Sequence, residues 1–177
     1  MKYRMKKNVI TILLISLAII LCSCDNGTGE LSQYDETTNQ YISVFGISLQ
    51  IPKEWEEEIH EHDCLQYYEE KGDSFEHGLS ITLQRDEESL EEAAETIKEN
   101  LETSNEKYHD LEDITFSEGK VADMAAVTAE YVRELDGKKY KYKIVVFQKN
   151  DGIIMMEFFS TDANGIEDFN KVLNSVS

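Results

Sequence analysis

The densest run of side chains that could do chemistry is His60-Glu61-His62-Asp63-Cys64. Two imidazoles two positions apart, joined by a thiolate or a carboxylate, can reach one metal ion, and this donor set suits zinc. His60, His62 and Cys64 are therefore candidate metal ligands. The alternative is a solvated loop, because the run lies in a chain with 36 acidic residues.

Common catalytic motifs are missing from the sequence. It has no Gly-x-Ser-x-Gly elbow, no His-Glu-x-x-His pair, no phosphate-binding glycine loop and no Cys-x-x-Cys. These absences weigh against the common hydrolases, metalloproteases and thiol oxidoreductases, so we predict no catalytic residue and no cofactor. An enzyme with an unrecognised site stays open, since a pocket of convergent acids is not visible in a sequence.

Acidic residues dominate the composition of the 177-residue chain. Against 17 Lys and Arg stand 36 Asp and Glu, which gives a formal net charge of -19. Such a surface repels phosphate, so nucleic acid is excluded as an ordinary partner. The 41% of hydrophobic residues suffice for a core, and the length suits one domain. The acidic runs are expected to be solvated faces.

The N-terminus has the pattern of a secretory signal. Four basic residues and no acid occupy positions 1–7, and an apolar run follows at 9–21. That run is shorter than the roughly 20 residues that span a bilayer, so a permanent transmembrane helix is the weaker interpretation.

The signal ends in Leu21-Cys22-Ser23-Cys24, which resembles the bacterial lipobox. In that motif an aliphatic residue lies three positions before a cysteine that is lipidated, and a small residue lies directly before it. Cys24 fits this pattern, whereas Cys22 would have Leu21 where the small residue belongs. We therefore expect a lipid anchor on Cys24 that holds the chain at the extracytoplasmic face of the cell membrane. A plain secreted protein is the alternative.

Lipidation would leave a single thiol in the mature chain. Cys22 is removed with the signal and Cys24 carries lipid, so Cys64 has no cysteine with which to form an internal disulfide. We expect a monomer whose fold rests on packing. Cys64 itself is either a small buried hydrophobe or a ligand or redox site.

Three regions follow from these signals: a signal peptide at 1–23, the lipidated cysteine with a flexible polar tether at 24–40, and one domain at 41–177. Alternating apolar residues predict strands in the domain, with Trp55 closing one end of the core. The predicted strands are 41–52, 65–69, 79–84, 114–117, 126–135, 138–148 and 153–160, with a loop at 70–78.

Capping and turn residues mark the remaining elements. Ser89 with Glu92 has capping-box spacing before an amphipathic helix at 90–101, and Asn164 begins a second helix at 165–175. Asp136-Gly137 and Asp151-Gly152 are hairpin signals, because glycine tolerates the positive φ of tight turns. Two helices on a mainly antiparallel sheet make an α+β domain.

Tyrosines recur at strand spacing along this predicted sheet. They either fill the core or line a ligand groove, and the core is the more frequent role of such aromatic residues. The set consists of Tyr67, Tyr68, Tyr131, Tyr140 and Tyr142.

The order of features resembles the PsbP-like superfamily, including bacterial DcrB-type lipoproteins. The resemblance covers about 41–176. Its marks are Phe45-Gly46-Ile47-Ser48-Leu49, the step Ile51-Pro52-Lys53-Glu54-Trp55, the helix after Ser89, the strand at 140–147 and the closing helix. It implies an α/β/α sandwich around an antiparallel sheet and a role as a binding or assembly factor for a protein partner. It supplies no catalytic motif.

Overall fold

The computed structural model describes residues 38–71, 74–84, 89–149, 152–162 and 165–177. The predicted signal peptide, the lipidation site Cys24 and the tether up to residue 37 lie outside the described residues, as do Asp151 and Asn164. None of the helices in the described ranges is long and apolar enough to cross a bilayer.

The described residues form nine strands and two helices. The elements are β1 (Asn39–Val44), β2 (Ile47–Pro52), β3 (Glu56–Glu61), β4 (Cys64–Lys71), β5 (Ser74–Gln84), α1 (Leu90–Tyr108), β6 (Leu111–Val121), β7 (Met124–Leu135), β8 (Lys138–Lys149), β9 (Gly152–Ser160) and α2 (Gly165–Asn174). Seven strands form one sheet in the order β3-β4-β5-β9-β8-β7-β6, and β1 pairs with β2 separately. Every pairing is antiparallel, so the predicted α+β class is confirmed.

The large sheet is covered on both faces, which confirms the sandwich. Strand β9 runs through its middle with every residue buried. Because successive side chains of a strand point to opposite faces, Met155 and Phe159 pack in the cluster with α1, whereas Met156 and Phe158 pack in the cluster with α2 and β2.

Local signals explain both ends of α1. The Ser89 hydroxyl accepts a hydrogen bond from the Glu92 backbone N–H, and the Glu92 carboxylate accepts one from the Ser89 N–H, as the capping box predicts. The helix ends where His109 adopts a left-handed conformation with φ 53°. It therefore runs seven residues beyond the predicted end at 101.

The predicted single strand at 41–52 is wrong. Phe45 and Gly46 have φ of 51° and 76°, and they turn the chain into the hairpin of β1 and β2. Alternating apolar residues continue through both strands, so periodicity did not show the turn. Strand β1 also takes Asn39 and Gln40, which were assigned to the tether. The predicted burial of Trp55 is confirmed.

The Asp136-Gly137 turn forms as predicted. Both residues have positive φ, 51° and 76°, and they join β7 to β8. In the second predicted hairpin, β8 pairs with β9 as far as Lys149, which lies opposite Gly152.

The segment 56–61 was interpreted as a solvated acidic stretch, yet it forms the edge strand β3. Strands β4 and β5, the next two in the sheet, are also longer than predicted, and together they occupy most of the predicted loop at 70–78. The acidic side chains of β3 are exposed, so the prediction of a solvated face holds within a strand rather than a loop.

Candidate binding groove

The predicted metal ligands are not brought together by the described structure. Strand register places Cys64 opposite Glu61 and His60 opposite Leu65, so His60 and Cys64 project from opposite faces of the sheet. The His60 side chain is exposed and contacts Glu57 at 3.3 Å, and His62 is exposed in the turn between β3 and β4. Within the described ranges no group of three His, Cys, Asp or Glu side chains is placed to hold a metal ion.

Cys64 is a half-buried free thiol. Its Sγ atom lies 3.7 Å from the Ser80 hydroxyl and 3.8 Å from the Thr82 hydroxyl, which donates to it. The thiol thus sits among polar side chains of β4 and β5, rather than in the purely apolar core that was one of its two predicted environments.

The tyrosine set belongs to the core. Tyr67, Tyr68, Tyr131 and Tyr142 are buried, and Tyr140 is half-buried. The rings of Tyr131 and Tyr142 stack with centroids 4.8 Å apart. The core prediction for these residues is therefore confirmed.

A groove of about 450 Å³ opens between the β2 end, the turn at Trp55 and α2. We call it the Trp55 groove. Its lining combines carboxylates, amides, hydroxyls and a small apolar wall: Thr38, Asn39, Gln50, Pro52, Glu54, Trp55, Glu69, His77, Asp168, Lys171, Val172 and Ser175.

Stacked aromatic rings support one side of this groove. Trp55 stacks on Phe158 at 5.7 Å and on His77 at 6.3 Å between ring centroids. Phe158 in turn stacks on Phe169 of α2, with centroids 4.8 Å apart and an angle of 2°. The sheet, the Trp55 turn and α2 therefore share one aromatic contact set, which fixes the groove walls relative to one another.

Hydrogen bonds tie α2 to β2 on the other side. The Gln50 backbone N–H donates to the Ser175 hydroxyl at 2.8 Å. Ser177 and Ser48 exchange two backbone hydrogen bonds, at 2.9 and 3.0 Å. The segment that follows α2 is thereby held against the small sheet.

A partly buried acid and imidazole lie at the base of the groove. His77 Nε2 is 3.6 Å from Glu69 Oε2, and the two side chains are 9% and 14% exposed. His77 Nδ1 is buried and has no hydrogen-bond partner. A buried polar atom left unpaired costs about 1–3 kcal/mol, so His77 carries unused hydrogen-bonding capacity at this site.

A charged pair stands at the α2 rim. The Lys171 ammonium donates to the Asp168 carboxylate one turn earlier, and this hydrogen bond raises the pKa of Lys171. Among the described residues of the lining, Lys171 is the only Lys or Arg, and Asp168 balances it. Glu54 and Glu69 contribute two further carboxylates to this lining.

A second unusual group, Glu157, lies on the opposite face of the sheet. Its side chain is 5% exposed among Tyr68, Tyr131 and Tyr142. Burial raises its pKa to about 7, and Arg133 opposes that rise. Burial also raises the pKa of the three tyrosines, and Glu157 adds to each rise. Glu157 is part of the core and is not among the groove residues.

Sequence patterns indicated little of the groove. Trp55 was predicted only to close one end of the core. Glu69, His77 and Lys171 come from β4, β5 and α2, and they meet only because these elements pack together. The Trp55 step and the amphipathic closing helix were the only signals that pointed to the region.

Comparisons with known proteins address the fold. No protein-family model matches the sequence, and no curated protein matches it. A solution structure of cyanobacterial PsbP (CyanoP) from Synechocystis is similar, with a TM-score of 0.61 and 12% identity over 84% of this chain and 97% of that one. The fold is therefore PsbP-like, as the sequence resemblance implied.

Two further structures share this fold. A crystal structure from Bacteroides thetaiotaomicron gives a TM-score of 0.56 at 12% identity over 79% of this chain, which spans only 47% of that longer chain. The Ran-binding protein Mog1p of Saccharomyces cerevisiae gives 0.51 at 8% identity over 78% of this chain and 94% of that one. At these sequence identities the similarity establishes the fold and does not establish a function.

Proposed function

We propose that this chain is a non-catalytic, lipid-anchored protein of the cell envelope whose domain binds a protein partner through the Trp55 groove. The groove carries the proposal: it is concave, it is lined by polar groups around a small apolar wall, and its volume of about 450 Å³ suits a side chain or a small ligand.

The rigidity of the groove supports a role in binding. Trp55, Phe158 and Phe169 fix its aromatic side, and the Ser175 hydroxyl fixes α2 to β2. A site built on packed elements loses little conformational entropy when it is filled, so affinity is not spent on ordering the protein.

The sequence supports the anchor. Cys24 follows a short apolar signal with the residues expected of a lipobox. Acyl chains contribute about 0.8 kcal/mol for each buried methylene, and more than one chain gives a stable attachment. The polar segment that follows would let the domain reach a partner beside the membrane.

Lipidation is tested by growing cells with an alkyne analogue of palmitate and detecting its attachment to the protein. We expect label on the wild-type chain and on the Cys64→Ser control, and none on Cys24→Ser. Equal labelling of the wild type and Cys24→Ser would contradict the anchor at this position.

Partner binding is tested by placing a photo-crosslinking amino acid at Glu54, an exposed groove residue, in intact cells. The matched control places it at Glu102, an exposed residue of α1 on the other side of the sheet. We expect a discrete protein adduct from position 54 and none from position 102. No adduct at position 54, or the same adduct at both positions, would contradict binding through the groove.

A further inference from the structure

We infer that the Trp55 groove binds a positively charged alkyl side chain, a lysine or an arginine presented by the protein partner. This inference rests on the proposed function, because it names the chemistry that the groove would recognise. Three observations carry it: the charge of the lining, the partial burial of Glu69 and the apolar wall.

The charge of the lining favours a cation. Among the described residues that line the groove, three carry carboxylates, Glu54, Glu69 and Asp168, and one carries an ammonium, Lys171. Lys171 and Asp168 hydrogen-bond to each other and cancel in charge. An anionic ligand would meet the other two carboxylates in a chain whose formal net charge is already -19, so charge complementarity selects a basic ligand.

The base of the groove is the place for the charge. Glu69 is only 14% exposed, and an ion interacts more strongly with a carboxylate that is partly removed from water than with a fully solvated one. His77 lies beside it with Nδ1 buried and unpaired.

The wall of the groove suits an alkyl stem. Pro52, Trp55 and Val172 contribute its apolar surface, beside the carboxylates, amides and hydroxyls of the lining. Lysine and arginine carry three or four methylenes below a charged head, and they bury this stem against apolar surface. A compact inorganic cation would leave the wall uncovered, and no three-ligand cluster is found among the described residues.

Trp55 provides the readout, because it is the only tryptophan of the chain and lines the groove. The full chain in detergent is titrated with Nα-acetyl-lysine methylamide and Nα-acetyl-arginine methylamide while tryptophan fluorescence is followed. The norleucine derivative supplies the same stem without the charge. We expect a saturable fluorescence change with the two basic probes and an affinity at least tenfold lower for the norleucine derivative. The affinity for the two basic probes should fall as the salt concentration is raised.

Substitutions locate the binding. Glu69→Gln keeps the shape of the side chain and removes its charge, and we expect at least a tenfold loss of affinity for the lysine probe. Glu54→Gln removes the charge of an exposed groove carboxylate, and we expect a loss of about two- to fivefold in affinity for the lysine probe. Glu102→Gln on α1 should leave affinity unchanged. Unchanged affinity in both groove variants would overturn the inference.

The probes also separate the possible sources of the cation. Spermidine is titrated in the same way. If it binds tenfold more tightly than the lysine and arginine probes, the ligand is a free polyamine, and the assignment to a protein side chain is overturned. Equal binding of norleucine and lysine, or no binding of either basic probe, would overturn the cationic site. A specific adduct from position 54 together with that result would leave the proposed function standing and remove only this inference.

Discussion

Trp55 and His77 stack at the base of the groove, with ring centroids 6.3 Å apart and an angle of 20° between the rings. Trp55 lies in the link between β2 and β3, and His77 belongs to β5, so the contact holds this link against the large sheet. The same imidazole lies 3.6 Å from Glu69. His77 therefore contacts both an aromatic residue of the core and a carboxylate of the groove. We expect substitutions that change core packing to change the groove as well.

Phe169→Ala is expected to destabilise the protein by about 3–5 kcal/mol, because it removes a fully buried ring that stacks on Phe158. Urea unfolding followed by circular dichroism measures the change. Phe116→Ala, on the edge strand and 39% exposed in the wild type, is the control and should cost less than about 1 kcal/mol. Equal effects of the two substitutions would contradict the docking of α2 through Phe169.

Gly165→Ala is expected to destabilise the fold although alanine is the better helix former. An added Cβ would lie 2.0 Å from Ser160 Oγ and 2.4 Å from Ser160 Cβ. The gain in helix propensity is about 1 kcal/mol, whereas overpacking costs about 1–3 kcal/mol.

The double variant with Ser160→Gly isolates this clash. It should be less destabilised than the sum of the two single variants by more than about 1 kcal/mol. Gly119→Ala is the control, since nothing lies within 4 Å of its added Cβ, and it should stay within about 0.5 kcal/mol of wild type. Strict additivity in thermal unfolding would contradict the contact between the start of α2 and the end of β9.

Glu157→Gln is expected to change how stability depends on pH. Burial raises the folded-state pKa of Glu157 from 4.5 to about 7, so the folded protein holds this proton more tightly than the unfolded chain. The stabilising effect of the proton is complete below pH 4.5 and is lost as pH rises toward 7. At about 1.4 kcal/mol for each pKa unit, the loss is on the order of 3 kcal/mol.

The variant has no proton to lose at this position. Its stability relative to wild type should therefore rise by about 2–3 kcal/mol between pH 4.5 and pH 8, as measured by urea unfolding across that range. Glu102→Gln is the control and should differ from wild type by less than about 0.5 kcal/mol throughout. A pH-independent difference between wild type and Glu157→Gln would contradict the raised pKa.

Ser89→Ala is expected to cost about 1 kcal/mol, because it removes the hydroxyl that accepts the Glu92 N–H at the start of α1. Thr103→Ala, exposed in the middle of the same helix, should be neutral or slightly stabilising, since alanine has the higher helix propensity. Thermal unfolding compares the two variants. A larger cost for Thr103→Ala would contradict the capping box.

Sequence reasoning succeeded where a structure depends on neighbouring residues. Ser89 with Glu92 fixed the start of α1, and Asp136-Gly137 fixed a turn, because each signal acts within four residues. It failed at β3, whose only aliphatic residue is Ile59, since the strand pairs on one side only and gains little from burial. The sequence pattern also predicted only four of the eleven residues of β6. Most side chains of this second edge strand are exposed, so its apolar alternation is weak.

The groove could not be predicted for a related reason. Glu69 and His77 become neighbours through the pairing of β4 with β5, and α2 reaches them from about ninety positions further along the chain. No local sequence pattern indicates that these distant residues lie close together. The histidine-rich run showed the opposite error: closeness in sequence indicated a shared site, and strand alternation placed His60 and Cys64 on opposite faces.

The most direct test of partner binding at the groove uses the single indole N–H signal of Trp55 in a nitrogen-15 correlation spectrum. The partner captured from position 54 is purified and titrated into the labelled chain. We predict that the indole signal shifts and saturates with the partner, and that Glu69→Gln shifts the titration to higher partner concentration. Saturable partner binding by calorimetry with an unmoved indole signal would contradict the account, because the partner would then occupy another surface.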